Sequence, residues 1–225
     1  MASSLNEEIV VRNININCPN TYGVIYVPLD TNYAGILTTY DSINFNGTRL
    51  AYKPYGKVKI VDSYIVIEET SGIASQEVCM GNYVIIGGKT TITSSSTRGS
   101  LFYFRNNLSP SIVFLCQSNV SLSTDTKEFM TGTNRLNFTI LHDTEVNIVT
   151  AENTPADNYN LQFKGSSCKL ILENPNSVIL YSKNASVFYF NNTTEYQIKC
   201  KRINLWNSSK TLTSAGDIHD LPDYS

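Results

Sequence analysis

The amino-acid sequence predicts an all-β fold. Asparagine, serine and threonine are abundant, with 25, 24 and 22 copies, whereas alanine occurs only 8 times, so good helix formers are scarce. Short apolar runs alternate with polar residues, as where Ile14, Ile16 and Cys18 lie between asparagines. This period of two is typical of a strand with one buried face. Gly, Asn, Asp or Pro separates the runs, which favours many short strands joined by turns.

We expect residues 1–70 to form a small hairpin-rich β region. Asn-Gly between two strand-like runs is a strong hairpin signal, because both residues accept a positive φ. Two hairpins are predicted, one with strands 43–45 and 49–52 around Asn46-Gly47, the other with strands 57–61 and 64–68 around Asp62-Ser63. Residues 71–82 form the predicted junction, where a short helix or structured loop fits the pattern.

Residues 83–210 are expected to form either a β-solenoid or an ordinary β-sandwich. Paired apolar runs begin at 112, 136, 159, 178 and 196, a spacing near twenty that stacked coils of two or three strands would produce. An antiparallel sandwich also places strands every 8 to 12 residues, so it stays the rival architecture. The spacing favours the solenoid.

Three runs are apolar at every position, although a strand with one face in water should alternate. They are residues 101–104, 112–116 and 187–190. Their second face must therefore be covered by another sheet or by another subunit. The sequence accordingly predicts a homo-oligomer, with a trimer as one candidate.

Charge and termini exclude several classes of partner. The net charge of −2 gives no electrostatic reason to expect nucleic acid or an anionic membrane. No apolar run reaches the length of a membrane span, and residues 1–13 lack the basic and apolar regions of a secretory signal. The five cysteines, odd in number and without a CxxC pair, are expected to be buried, reduced thiols of a protein made in a cytoplasm.

The sequence predicts a protein that is not an enzyme and holds no cofactor or metal. It has two histidines, of which His142 fits a surface turn at the end of a strand and His219 lies in a polar tail. Neither has a recognisable second catalytic group. Gly87-Gly88 is followed by threonines, not by a helix, so it reads as a turn between strands and not as a phosphate loop.

Tyrosines are the candidate ligand-binding residues. Their flat rings and hydroxyls suit sugar stacking or protein contacts, although half-buried strand tyrosines would give the same pattern. The candidate residues are Tyr22, Tyr26, Tyr33, Tyr52 and Tyr55, with Tyr40 in the same window.

The runs Leu161-Gln-Phe-Lys-Gly-Ser-Ser-Cys-Lys-Leu-Ile-Leu-Glu173 and Ser177-Val-Ile-Leu-Tyr-Ser-Lys183 resemble the β-helical modules of bacteriophage fibres and capsid appendages. The resemblance covers roughly residues 82–210. It implies a virion structural protein made in the host cytoplasm, which assembles with itself and other virion proteins and contacts the host or its glycans. Residues 211–225 read as an acidic tail.

Two other functional classes stay open. A carbohydrate-binding, lectin-like β module would use the tyrosine cluster. A β-helical polysaccharide-degrading enzyme would need more coils and a carboxylate cluster.

Overall fold

A computed structural model describes residues 7–19, 23–26, 35–69, 77–96, 100–104, 110–125, 128–131, 135–150, 161–163, 168–182, 188–190 and 195–206. These residues form β-strands joined by turns and contain no helix. Every strand pair among them is parallel. The fold is therefore a β-solenoid, as expected, and the antiparallel sandwich is ruled out.

Two large sheets, A and B, run along the solenoid. The continuous path of sheet A is β1 (Glu8–Arg12), β4 (Leu37–Asp41), β6 (Arg49–Val61), β8 (Glu77–Gly87), β11 (Ser111–Phe114), β14 (Asn137–Ile140), β17 (Lys169–Glu173) and β20 (Glu195–Lys199). Sheet B consists of β2 (Asn15–Cys18), β5 (Asn44–Gly47), β7 (Tyr64–Ile67), β9 (Lys89–Ser94), β12 (Asn119–Thr124), β15 (Glu145–Thr150), β18 (Ser177–Ser182) and β21 (Ile203–Trp206).

A third face closes part of the solenoid. The first halves of β6 and β8 pair here with each other, before both strands continue into sheet A, and their register shifts between Lys53 and Lys57. The remaining strands of this face are β3 (Ile25–Tyr26), β10 (Ser100–Tyr103), β13 (Glu128–Thr131), β16 (Leu161–Phe163) and β19 (Phe188–Phe190). Each coil thus runs from sheet A to sheet B, then to the third face and back.

The core lies between the sheets and is built from columns of apolar side chains. Alternate residues of each strand point inwards, so register partners on successive coils stack on one another. One column of sheet A contains Tyr40, Ile60, Ile86, Phe114, Ile140, Leu172 and Ile198. Burying each such side chain contributes about 1.5–3 kcal/mol. The alternation seen in the sequence therefore holds the coils together.

The corner between sheets A and B has one residue with positive φ in coil after coil. Their φ values are 49–60°, and they are Asn13, Ser42, Asp62, Gly88, Gln117, Asp143 and Asn174. Gly, Asn and Asp tolerate this left-handed conformation best, which explains most of the choices. At Gly88 a Cβ atom would also lie 2.2 Å from Oδ1 of Asp62.

Buried hydroxyl groups line the inner side of the same corner. The hydroxyl of Thr144 donates to the carbonyl of Leu115 at 2.8 Å, and the Oγ of Ser118 accepts from the amide of Gly88 at 2.9 Å. Each bond joins a residue of one coil to the coil before it. Serine and threonine here satisfy backbone groups that the turn leaves buried.

The two predicted hairpins are wrong. Strand β5 ends at Gly47 and pairs in parallel with β2 and β7, while β6 begins at Arg49 on the third face. Gly47 is required because a Cβ would lie 2.2 Å from the carbonyl oxygen of Cys18, not because its φ is positive. At Asp62 the chain does turn, but it passes from sheet A to sheet B and does not reverse onto itself.

The predicted repeat of about twenty residues is also inaccurate. Register partners on sheet A are separated by 20 residues between Leu37 and Lys57, but by 32 between Asn137 and Lys169. Runs near 112, 136 and 196 do belong to sheet A. Those near 159 and 178 correspond to β16 and β18 on other faces, so the shorter spacings compared unlike strands.

Several other predictions meet the structure in part. Residues 77–82 of the predicted junction lie in β8, and residues 71–76 and 211–225 lie outside the described ranges. All five cysteines are free, but burial was predicted for all and holds fully for Cys79 and Cys168. Cys116 is exposed because it lies at a corner beside Gln117.

Candidate functional site

The structure brings two of the predicted tyrosines together. Tyr26 of β3 and Tyr52 of β6 are register partners, and their rings stack with centroids 5.1 Å apart and planes inclined by 19°. Tyr26 is 51% exposed. A parallel pair of strands places such rings side by side, since their Cα atoms are neighbours across the ladder. The pair offers an aromatic edge on the third face.

A buried ion pair supports this pair of rings. The guanidinium carbon of Arg49 lies 5.4 Å from the centroid of the Tyr52 ring, and Nη2 of Arg49 lies 2.6 Å from Oε1 of Glu77. The two charged side chains are only 4% and 1% exposed. Because Arg49 and Glu77 are register partners on β6 and β8, the ion pair links successive coils.

The other predicted tyrosines do not join them in the described structure. Tyr22 and Tyr33 lie outside the described residues, and Tyr55 lies within the span of β6 with its side chain undescribed. Tyr40 is fully buried, and its hydroxyl donates to the carbonyl of Leu50 at 3.2 Å. Burial raises the pKa of Tyr40 far above its ordinary value, so it is a core residue.

Sequence reasoning missed a second arrangement, which we call the asparagine groove. It lies on the outer face of sheet B, has a volume of about 520 Å³ and is lined by side chains of Asn15, Asn17, Asn44, Asn46, Tyr64 and Val66. Its signal in the sequence is Asn-x-Asn, which occurs in both β2 and β5. Alternation turns both asparagines of each strand outwards, and parallel register aligns them between strands.

Hydrogen bonds orient two of these carboxamides. Nδ2 of Asn44 donates to Oδ1 of Asn15 at 3.0 Å, and Nδ2 of Asn46 donates to Oε1 of Glu68 at 3.0 Å. Tyr64, the register partner of Asn44, is 50% exposed beside them. The groove therefore combines fixed amide groups with one accessible aromatic ring.

The outer face of sheet A is different, because much of it is apolar. The stripe crosses β6, β8, β11, β14 and β17, and its side chains are partly exposed. We call it the apolar stripe; it consists of Val61, Ile85, Val113, Leu115, Leu141 and Ile171. Residues 112–116 were predicted to need cover on a second face, and Val113 and Leu115 are the outward residues of that run.

The predicted surface position of His142 is confirmed. Its Nδ1 lies 3.2 Å from Oδ2 of Asp143, whose Oδ1 accepts from Nζ of Lys201 at 3.2 Å. The hydrogen bond with His142, and then the one with Lys201, lower the pKa of Asp143. All three side chains are about half exposed at a corner of the solenoid, which is a solvated network and not an enclosed site.

Two negative findings apply to the described part of the chain. It contains no group of three or more His, Cys, Asp or Glu side chains placed to hold a metal ion. Within the same ranges, no helix long and apolar enough to cross a membrane is present.

Comparison with known proteins yields no relative. No family model, no curated protein and no solved structure matches this chain. The class of molecule is therefore defined by its own architecture, a parallel β-solenoid with one apolar and one asparagine-rich outer face.

Proposed function

We propose that this chain is a virion structural protein, such as a fibre, a capsid decoration or a tail component, which acts by assembling with copies of itself and with other virion proteins. The observation that carries the proposal is the apolar stripe. A solenoid buries its own apolar residues inwards, so a second apolar surface on the outside gains stability only when another molecule covers it.

The stripe is suited to a second copy of the same chain. It is continuous over five successive strands of a flat sheet, and none of its six residues is charged. Identical neutral stripes can pack around a symmetry axis without opposing like charges, whereas a partner of fixed charge would gain nothing there. A trimer around the solenoid axis is the arrangement that the virion hypothesis implies.

The test is the mass of the purified chain in solution, measured by light scattering behind a sizing column. We expect an oligomer for the unmodified chain and a monomer for Val113→Lys, because a lysine in the middle of the stripe would be buried against its counterparts. Ser121→Lys, an outward change on sheet B, is the matched control and should leave the oligomer intact. A monomer at every concentration, or equal behaviour of the two variants, would overturn the proposal.

A carbohydrate-binding, lectin-like function is the second candidate, and the stacked rings of Tyr26 and Tyr52 favour it. An exposed ring presents an apolar face to the C–H groups of a sugar. Changing Tyr26 to alanine should then weaken glycan binding without changing the unfolding midpoint, since half of the side chain is already in water. Unchanged binding would remove this site from consideration.

A further inference from the structure

We propose that the asparagine groove binds a neutral, unbranched polysaccharide whose chain runs along the solenoid axis. This proposal is independent of self-assembly, because the groove lies on sheet B and the apolar stripe lies on sheet A.

The amide chemistry of the groove fits sugar hydroxyl groups. Each asparagine side chain has two donor hydrogens and an acceptor oxygen, and a sugar hydroxyl both donates and accepts. The bonds from Asn44 to Asn15 and from Asn46 to Glu68 use one donor each and leave most of this capacity. They also hold the amides in place, which lowers the entropy cost of binding.

Tyr64 supplies the apolar contact that sugar binding requires. Its ring is 50% exposed, and its register partner Asn44 lies on the neighbouring strand about 4.8 Å away. Ligand sites typically combine such an aromatic surface with a few fixed polar groups. The pairing of ring and amides thus distinguishes this groove from an ordinary polar strand surface.

Charge selects the kind of glycan. The lining of the groove contains no cationic side chain, and the carboxylate of Glu68 lies against Asn46. An acidic polysaccharide would therefore meet no counter-charge and one like charge. Neutral sugars have no such cost.

The array continues in the direction of the stack. Beyond Tyr64 and Val66 the same two outward columns contain Thr91 and Thr93, followed by Ser121 and Ser123. Because parallel strands repeat every 4.8 Å or so, a linear polymer laid across them meets hydroxyl or amide groups at regular intervals. A branched chain would not fit this lattice.

The experiment is affinity electrophoresis of the full chain through gels that contain soluble (1→4)-β-glucan, (1→4)-β-mannan or polygalacturonate. We expect at least one neutral polymer to retard the protein and the acidic polymer to have no effect. Tyr64→Ala should raise the dissociation constant about tenfold or more, as loss of a central contact does. Asn44→Ala should weaken binding as well.

Tyr26→Ala is the matched control, because it removes an equally exposed tyrosine from the third face. Circular dichroism melts of each variant would show that the fold is intact. No retardation by either neutral polymer would refute the inference, and so would equal losses for Tyr64→Ala and Tyr26→Ala. A chain that is monomeric yet retarded would support this inference while refuting the assembly proposal, so the two failures can be told apart.

Discussion

Replacing Glu77 by methionine should lower the free energy of unfolding by about 3–5 kcal/mol, the usual cost of leaving one member of a buried ion pair unpaired. Glu77 is 1% exposed at its side chain and lies 2.6 Å from Nη2 of Arg49. At an effective dielectric constant of about 20, the attraction across that distance is on the order of 6 kcal/mol. Desolvation opposes it, but once the carboxylate is removed, the guanidinium stays buried without this partner.

The double variant Arg49→Met/Glu77→Met gives the internal control. It removes both charges at similar volume, so it should cost far less than the sum of the two single changes. Urea unfolding followed by far-UV circular dichroism would measure each free energy, with the slope against denaturant checked for constancy. A loss below about 1 kcal/mol for Glu77→Met, or strict additivity in the double variant, would refute the view that the pair links the two coils.

Three further predictions concern the corner and the core. Gly88→Ala should destabilise by at least about 1–2 kcal/mol through its positive φ, and adding Asp62→Ala should recover part of the loss by removing the clash; chemical denaturation would show no recovery if the clash is unimportant. Phe138→Ala should cost about 3–5 kcal/mol in the same assay, and a cost under 1 kcal/mol would mean that its 1% exposure does not reflect tight packing. The Ser42 hydroxyl is the main cause of the lowered pKa of Asp41, so Ser42→Gly should raise that pKa towards its ordinary value in an NMR titration. Since a lowered pKa stabilises the folded state above the ordinary carboxylate pKa, the benefit is lost as the pH falls through the folded value, and an unshifted titration curve would contradict the assignment.

The sequence was sufficient to predict the strands and the solenoid, because both follow from local alternation and from the spacing of turns. Ile14, Ile16 and Cys18 alternate in the sequence, and the two within β2, Ile16 and Cys18, pack against the core in the structure. Pairing direction was harder. Asn46-Gly47 carries the composition of a hairpin turn, yet its glycine is required by a close approach to Cys18, a contact 29 residues away that no local pattern reveals.

The candidate sites show the same division between local and distant information. Tyr26 and Tyr52 were identifiable as aromatic residues, but their stacking depends on register between β3 and β6. The asparagines of β2 and β5 were recognisable only as the polar face of single strands. Their alignment into a groove appears when the coils are stacked, and it would have been predictable from the recurrence of Asn-x-Asn once the offset between coils was known.

Coil length varies, while the ladders of sheets A and B stay continuous. Register partners 20 residues apart at Leu37 and Lys57, and 32 apart at Asn137 and Lys169, occupy equivalent positions in the same sheet. The chain on the side of the third face therefore accommodates most of the difference. Loops of new sequence inserted on that side should widen the molecule without lengthening it, so the distance between its two ends is set by the number of coils alone.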